Sequence, residues 1–359
     1  MIQCDALIVG GGPAGSSCAR RLRLAGWNVI VADRARFPRD KVCAGWLTPG
    51  VFTLLDLDPA EYRATGLTLQ EIDGFRTGVM GRDLIETRYP RVVSYAVRRC
   101  EFDDFLLARA GVRVLHDTPV QTIARQGDTW IVNDAITAPV IVGAGGHFCP
   151  VARYLRPGAD TAQPVVAKEA EVLLPPDWIA RSTAAPELFF CRDMDGYGWS
   201  VRKGNYLNVG IGRRDPQRFG VHVNDFIGLL TSTGRLPSGL HLKWRGHAYF
   251  AAGVGPRPLT GPGMLVVGDA AGLAYPESGE GICPAIASAL RAAQTLIDAG
   301  GRHDVEALQP YADAMHTLHP PVRGSSAPVR AIFAAAGRLL LESTVFTRHV
   351  VLDRWFLRN

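Results

Sequence analysis

Three things are scarce in this 359-residue chain, and each scarcity removes a class of function. The first is paired cysteine. Seven cysteines (4, 18, 43, 100, 149, 191 and 283) form no C-x-x-C and no regular spacing, which argues against a disulfide scaffold and suits a reducing cytosol. The second is charge of one sign. Lysine and arginine number 39 against 34 acids, a balance of +5 spread along the chain, so nucleic-acid binding is not expected. The third is a long apolar run: none reaches the roughly 18 residues of a membrane span. Met1 to Asp5 is too short to hold a signal peptide before the first apolar run. His316 and His319 lie three apart, but no third ligand is spaced to join them, so no metal site is expected. A cytoplasmic chain, peripheral at a membrane at most, is the expectation.

What is present begins at Ala6. Ala6-Leu-Ile-Val9 is small and branched, as a fully buried parallel strand requires. Gly10, Gly12 and Gly15 follow as G-x-G-x-x-G, with Pro13 and Ala14 inside the motif. The first glycine permits the turn, the second lets a pyrophosphate approach the backbone, and the third lets a helix settle on the strand. A helix is predicted over Ser16 to Ala25, closed by Gly26, and a second strand over Asn28 to Ala32. Asp33 ends that strand 18 residues beyond Gly15, near the offset at which a carboxylate meets a ribose hydroxyl. Strand, glycines, helix, strand and acid in register predict dinucleotide binding.

Further along, Arg99 to Ala110 is predicted helical, and Val112–Leu115, Thr129–Val132 and Pro139–Ala144 read as strands. Between about 165 and 252 short alternating runs predict an antiparallel sheet, interrupted by a helix near Val223 to Thr231. Gly263-Met-Leu-Val-Val-Gly-Asp269 returns to the buried-strand texture, and a helix from Ile282 to Ala299 follows. The expected class is α/β: a discontinuous Rossmann-type domain (1–70, 91–164 and 253–305), an inserted antiparallel substrate domain (71–90 and 165–252), and a helical C-terminal segment (306–359).

Four motifs together resemble the geranylgeranyl reductase family of FAD-dependent oxidoreductases, within the superfamily that includes aromatic hydroxylases and flavin-dependent halogenases. They are the Gly10–Gly15 loop with Asp33; Arg99-Cys-Glu-Phe-Asp103; Gly268-Asp269-Ala-Ala-Gly272 with Gly279-Glu-Gly281; and Lys41-Val-Cys-Ala-Gly45 with Gly196-Tyr-Gly-Trp199-Ser-Val-Arg-Lys-Gly204 and Asn208-Val-Gly-Ile-Gly212. The resemblance implies a para-hydroxybenzoate-hydroxylase-like FAD fold with non-covalent FAD. Its binding residues would be Gly10, Gly12, Pro13, Ala14, Gly15, Asp33, Arg34, Lys41, Cys43, Ala44, Arg99, Gly145, Gly268, Asp269, Gly279, Gly281 and Ile282. Asp269 would hold the ribityl chain, and the helix after Gly281 would direct its N-terminus at the isoalloxazine. Two departures stand out. Val201-Arg202 replaces the family's Phe-Pro, and Gly143-Ala-Gly145-Gly146 lacks the aspartate of G-A-D-G. The halogenase W-x-W-x-I-P is absent.

Tyr197 and Trp199, two apart on a predicted strand, share a face suited to a wall for a hydrophobic substrate or, equally, to core. Cys43 is a candidate proton donor or a small loop residue, and His147 a candidate at a cavity rim. The resemblance implies hydride delivery from flavin N5 to a C=C bond of an isoprenoid or lipid-like substrate, with Cys43, Tyr197 and Trp199 as the catalytic candidates and NAD(P)H or another reductant as electron source. A monooxygenase acting on an aromatic ring or alkene shares every cofactor motif and stays open, as does a flavin- or lipid-binding protein without turnover. The Val329–Phe356 stretch mixes apolar residues with arginines and fits either a membrane-touching tail or a closing core segment. An electron-donor protein also stays open as a partner.

Overall fold

The computed structural model describes residues 1–158, 163–237, 239–240, 242–253, 257–320 and 336–358. They form two compact units: 1–40, 100–163 and 249–322 in one, 41–99, 164–248 and 323–359 in the other. The division differs from the expected boundaries. Residues 41–70 and 91–99, expected with the dinucleotide half, group with the second unit, and 306–322 with the first. The reason is pairing: Trp46–Leu47, Leu69–Ile72 and Ser94–Val97 form one three-stranded sheet within the second unit.

The first unit is built on a six-stranded sheet in the order Thr260–Gly261, Met264–Val266, Val140–Gly143, Ala6–Val9, Val29–Ala32, Arg113–Leu115. All neighbours run parallel except the first pair. The four central strands are buried end to end, which is why they are continuous apolar runs rather than alternating ones. Helix Pro13–Leu24 starts three residues earlier than predicted, because a proline at the first helical position carries the right φ and lacks only an N–H that would have no intrahelical partner. It packs against helix Ile282–Asp298. Helix Val305–Leu318 is tied to the sheet by Tyr311, whose hydroxyl donates to the Val266 carbonyl at 2.7 Å. A four-stranded sheet, Ile2–Gln3, Ile136–Ala138, Thr129–Val132 and Ile123–Gln126, completes this unit.

The second unit carries the expected antiparallel sheet, seven strands in the order Arg245–Tyr249, Val165–Leu173, Tyr206–Arg213, Gly196–Lys203, Glu187–Phe190, Gly74–Val79, Ile85–Arg88. The pair Glu187–Phe190 with Gly74–Val79 is parallel. Alternation assigns its faces. Ala170, Leu207, Val209 and Ile211 pack with Phe226 and Leu230 of helix Phe219–Ser232. Phe75, Leu188, Phe190, Trp199 and Val201 form the other cluster, closed by Leu341, Val351, Leu352 and Phe356 of the C-terminal segment. The amphipathic stretch therefore closes a core over its described residues; 329–335 lie outside them. No helix among the described residues is long and apolar enough to cross a membrane.

Candidate functional site

Within the first unit the glycine loop, Asp33 and the Gly268–Asp269 turn converge. Gly10 lies at φ +111°, and a Cβ there would stand 2.5 Å from the Ala144 carbonyl oxygen. Asp33 is buried and accepts hydrogen bonds from Gly11 N at 2.7 Å and Ala35 N at 2.9 Å. The second strand is thereby locked to the loop. No side chain caps Gly12 at the start of helix Pro13–Leu24, so its first turn keeps N–H groups and a positive dipole end for an anion. Gly268, at φ +60°, is wedged between two helix starts: an added Cβ would meet Ala285 at 3.0 Å and Ala14 at 3.3 Å. Its N–H donates to Ser288 Oγ at 3.0 Å. Asp269 follows in a short 3-10 turn, its Oδ1 3.1 Å from where a Gly281 Cβ would stand. Gly279 lies at φ +68° beneath the Tyr249 hydroxyl.

The same unit places the remaining candidates less evenly. Gly145 precedes the 3-10 turn Gly146–Phe148, where the His147 ring sits 4.5 Å from Phe250. Ile282 is buried and Arg34 exposed. Arg39 was missed by sequence reasoning. It pairs with buried Asp103 at 3.2 Å, lies 4.5 Å over the Phe37 ring, and puts Nη2 3.3 Å from a Cβ at Gly12. Nothing in its loop signals this, because Asp103 comes from the far side of a second motif.

At the start of the helix after Gly281, Glu280 Oε1 accepts from Cys283 N at 2.7 Å. A carboxylate just before a helix start bends onto its own first turn, as acids do at positive dipole ends. Desolvation pushes Glu280 up to about 7, against the hydrogen bonds from Cys283 and Ile282.

In the second unit, the Lys41–Gly45 loop rests on a buried polar cluster. Lys41 Nζ is 2.7 Å from His247 Nε2. Cys43 N donates to Glu169 Oε2 at 2.7 Å, and the Cys43 carbonyl accepts from Lys203 Nζ and Asn208 Nδ2, each at 3.4 Å. Lys203 is fully buried and bridges to Glu171 at 2.8 Å, while Arg98 reaches the other Glu171 oxygen at 3.0 Å. Asn208 joins this cluster to the aromatic one. Its Nδ2 donates to Glu169 at 3.1 Å, and its Oδ1 accepts from Trp199 Nε1 at 2.7 Å. The Trp199 indole lies on Gly210, where a side chain would collide with it. Tyr197 and Trp199 do share a face, their rings 6.1 Å apart. Phe356 closes on Tyr197 at 5.4 Å and on Trp46 at 5.2 Å, and Ala44 packs on the same cluster. Arg99 is buried at the start of helix Arg99–Ala110. Arg202, in place of the family's proline, donates to the Ile179 and Ser182 carbonyls and so caps helix Pro176–Arg181.

The two glutamates titrate apart. Burial pushes Glu169 up to about 7, only partly offset by Lys203 and Asn208. Burial also raises Glu171, but Lys203 and Arg98 outweigh it and hold that carboxyl below its ordinary value. A carboxyl that keeps its proton more tightly folded than unfolded contributes stability fully below its unfolded value, near 4.5, and loses it as pH rises through about 7. Stability to urea is therefore expected to fall between pH 5 and 8. Glu169→Gln is expected to remove on the order of 2–3 kcal/mol of that fall; an unchanged slope would show that Glu169 is not its source.

Residues 5–99 match the family model for FAD dependent oxidoreductases. Over 334 residues the chain is 29% identical to menaquinone reductase of Mycolicibacterium smegmatis, covering 86% of this chain and 80% of that protein. It is also 29% identical to geranylgeranyl diphosphate reductase of Rhodobacter capsulatus, covering 95% and 81%. A geranylgeranyl bacteriochlorophyll reductase-like protein from Thermoplasma acidophilum has the same fold, with a TM-score of 0.74 at 21% identity over 95% and 88% of the two chains. With the glycine loop, Asp33 and Asp269 in these positions, the chain is an FAD-dependent oxidoreductase. Within that class it is similar over most of its length to proteins named menaquinone reductase and geranylgeranyl diphosphate reductase.

Proposed function

We propose that this enzyme reduces C=C bonds of an isoprenoid or similar lipid-like substrate. The observation that carries the reading is the Cys43–Ala44 loop set beside an aromatic cluster of Trp46, Phe75, Phe190, Tyr197 and Trp199. Such a wall suits an apolar alkene and excludes water. The names of the Rhodobacter and Mycolicibacterium relatives point the same way. The fit to FAD rests on the first unit: an uncapped helix start for the pyrophosphate, Asp33 for the ribose, Gly12 leaving room ahead of Arg39, and Asp269 for the ribityl chain. The family resemblance adds Arg34, Gly145, Gly279, Gly281 and Ile282 to that set, and it also assigns Lys41, Cys43, Ala44 and Arg99 to the cofactor. FAD, when reduced, supplies the hydride. The chain's part is to orient the alkene against Tyr197 and Trp199 and to hold the Cys43 thiol for the proton on the other carbon.

NAD(P)H or another reductant, an electron-donor protein included, would reload the cofactor. Peripheral membrane contact is assigned to the C-terminal segment, where Leu339 and Val345 are exposed near Arg338 and Arg348. Asp269→Ala is expected to lower retained FAD at least tenfold, read by flavin absorbance per protein; unchanged content would remove its assigned role. The decisive experiment reduces the purified enzyme anaerobically and mixes it with a polyprenyl alkene or with air-saturated buffer. Re-oxidation by the alkene without oxygen, with a saturated product, is expected. Substrate-dependent oxygen uptake with an oxygenated product would replace this reading by the monooxygenase one, and re-oxidation by neither by a binding role.

A further inference from the structure

Glu169 has no place in the chemistry above, yet it is the group on which the Cys43 loop is hung. It is 6% exposed, and its Oε2 takes two donors, Cys43 N at 2.7 Å and Asn208 Nδ2 at 3.1 Å. Asn208 in turn accepts the Trp199 indole N–H, so one hydrogen-bonded chain runs from the aromatic wall through a buried carboxyl to the backbone of the candidate proton donor. The loop is cramped at the same point. Gly45, at φ +65°, donates its N–H to Cys43 Sγ at 3.3 Å, and a Cβ there would stand 2.8 Å from Lys203 Nζ. A change at the carboxyl has little slack in which to dissipate before it reaches the thiol.

We propose that Glu169 is a positioning residue for Cys43: its carboxylate fixes the loop through the Cys43 amide, and its charge state sets the readiness of the adjacent thiol. The proposal rests on the reading that Cys43 serves the reacting alkene, but the coupling itself is testable without substrate or flavin. Lys203 approaches from strand Gly196–Lys203, Glu171 lies two residues along from Glu169 on strand Val165–Leu173 and is paired with Lys203 and Arg98, and Asn208 on Tyr206–Arg213 is uncharged. The Lys41–His247 pair belongs to the same loop and the edge strand. With Lys203 and Arg98 committed to Glu171, Glu169 is the carboxyl free to change charge near neutrality, burial holding its proton up to about 7.

The test is alkylation of Cys43 by iodoacetamide between pH 6 and 9, followed by peptide mass spectrometry on the purified enzyme. Cys100, also half-buried, is the internal reference. A negative charge beside a thiol disfavours the thiolate that reacts. Glu169→Gln keeps an oxygen for the Cys43 amide but removes the charge. It is expected to raise the Cys43 rate at pH 8 three- to tenfold relative to Cys100 and to erase the inflection near pH 7 expected of the wild type. Glu169→Asp is expected to restore the inflection, and His247→Gln to leave it in place. Identical Cys43 profiles in wild type and Glu169→Gln would overturn the proposal. Should that variant fail to fold, a wild-type profile with no inflection near 7 would overturn it equally. Turnover separates the two layers. If alkylation loses its inflection while the pH profile of turnover keeps it, the coupling stands and the role of Cys43 at the alkene falls.

Discussion

Gly15→Ala is expected to cost more than about 4 kcal/mol of stability and to abolish FAD retention in the same protein. A Cβ on Gly15 would overlap the Gly10 carbonyl oxygen and stand 3.0 Å from the Gly10 carbonyl carbon and 3.2 Å from Ile8 Cγ2. The first obstacle is backbone, and that backbone is pinned: Gly10 N donates to the Ala32 carbonyl at 2.8 Å, and Gly10 itself faces Ala144. The only relief is to lift helix Pro13–Leu24 off strand Ala6–Val9, which unseats Ala14 from Gly268 and opens the junction where two helix starts meet. Gly12→Ala is the informative contrast. Its Cβ would meet the Arg39 guanidinium at 3.3 Å, the far end of a flexible side chain, and Asp103 Oδ2 at 4.0 Å, an ordinary contact. That variant is expected to melt within about 1 kcal/mol of wild type yet bind FAD at least tenfold less tightly, since the new methyl stands where a pyrophosphate would approach. Thermal unfolding and flavin stoichiometry on the two variants check both statements. A Gly15→Ala protein with wild-type melting would show that the contact does not govern the loop.

The contrast between these glycines also marks what was legible in the sequence. Ala6–Val9 and Val29–Ala32 are buried on both faces, so their apolar runs and the glycines between them report the parallel sheet directly. The alternation of Tyr197 and Trp199 likewise placed them on one face. Their partners were hidden. Trp46, Phe75 and Phe356 reach that cluster from three separate stretches, and no local period links them. The ionic cluster was hidden more deeply. Cys43 meets Glu169, Lys203 and Asn208 across separations of 126, 160 and 165 residues. On a strand, Glu169 and Glu171 read as ordinary solvent-facing alternation, the opposite of where they lie. Burial of a charge depends on a counter-charge delivered by topology, and topology is not a local property of the chain. The C-terminal stretch shows the same ambiguity resolved in halves. Leu341, Val351 and Leu352 close the core, whereas Leu339 and Val345 stay 72% and 67% exposed.

Lys203→Met is the second large effect expected, at about 3–5 kcal/mol, because it strands a charge rather than merely deleting a contact. Lys203 is fully buried and holds Glu171 at 2.8 Å and the Cys43 carbonyl at 3.4 Å. Methionine is unbranched and only one heavy atom shorter, so most of the packing is conserved and the loss is chiefly electrostatic. Glu171 then keeps Arg98 alone, while Glu169, already pushed up to about 7 with Lys203 in place, loses its main opposing attraction and holds its proton to higher pH still. The double variant Lys203→Met with Glu171→Gln is expected to recover at least about 1 kcal/mol of the single loss, since the partner is no longer an uncompensated anion. Urea unfolding of wild type, both single variants and the double closes the cycle. Additive losses would mean that the lysine and the glutamate act independently. A recovery in the double variant, together with an upward move of the Cys43 alkylation inflection in Lys203→Met, would tie stability and thiol reactivity to one buried set of charges.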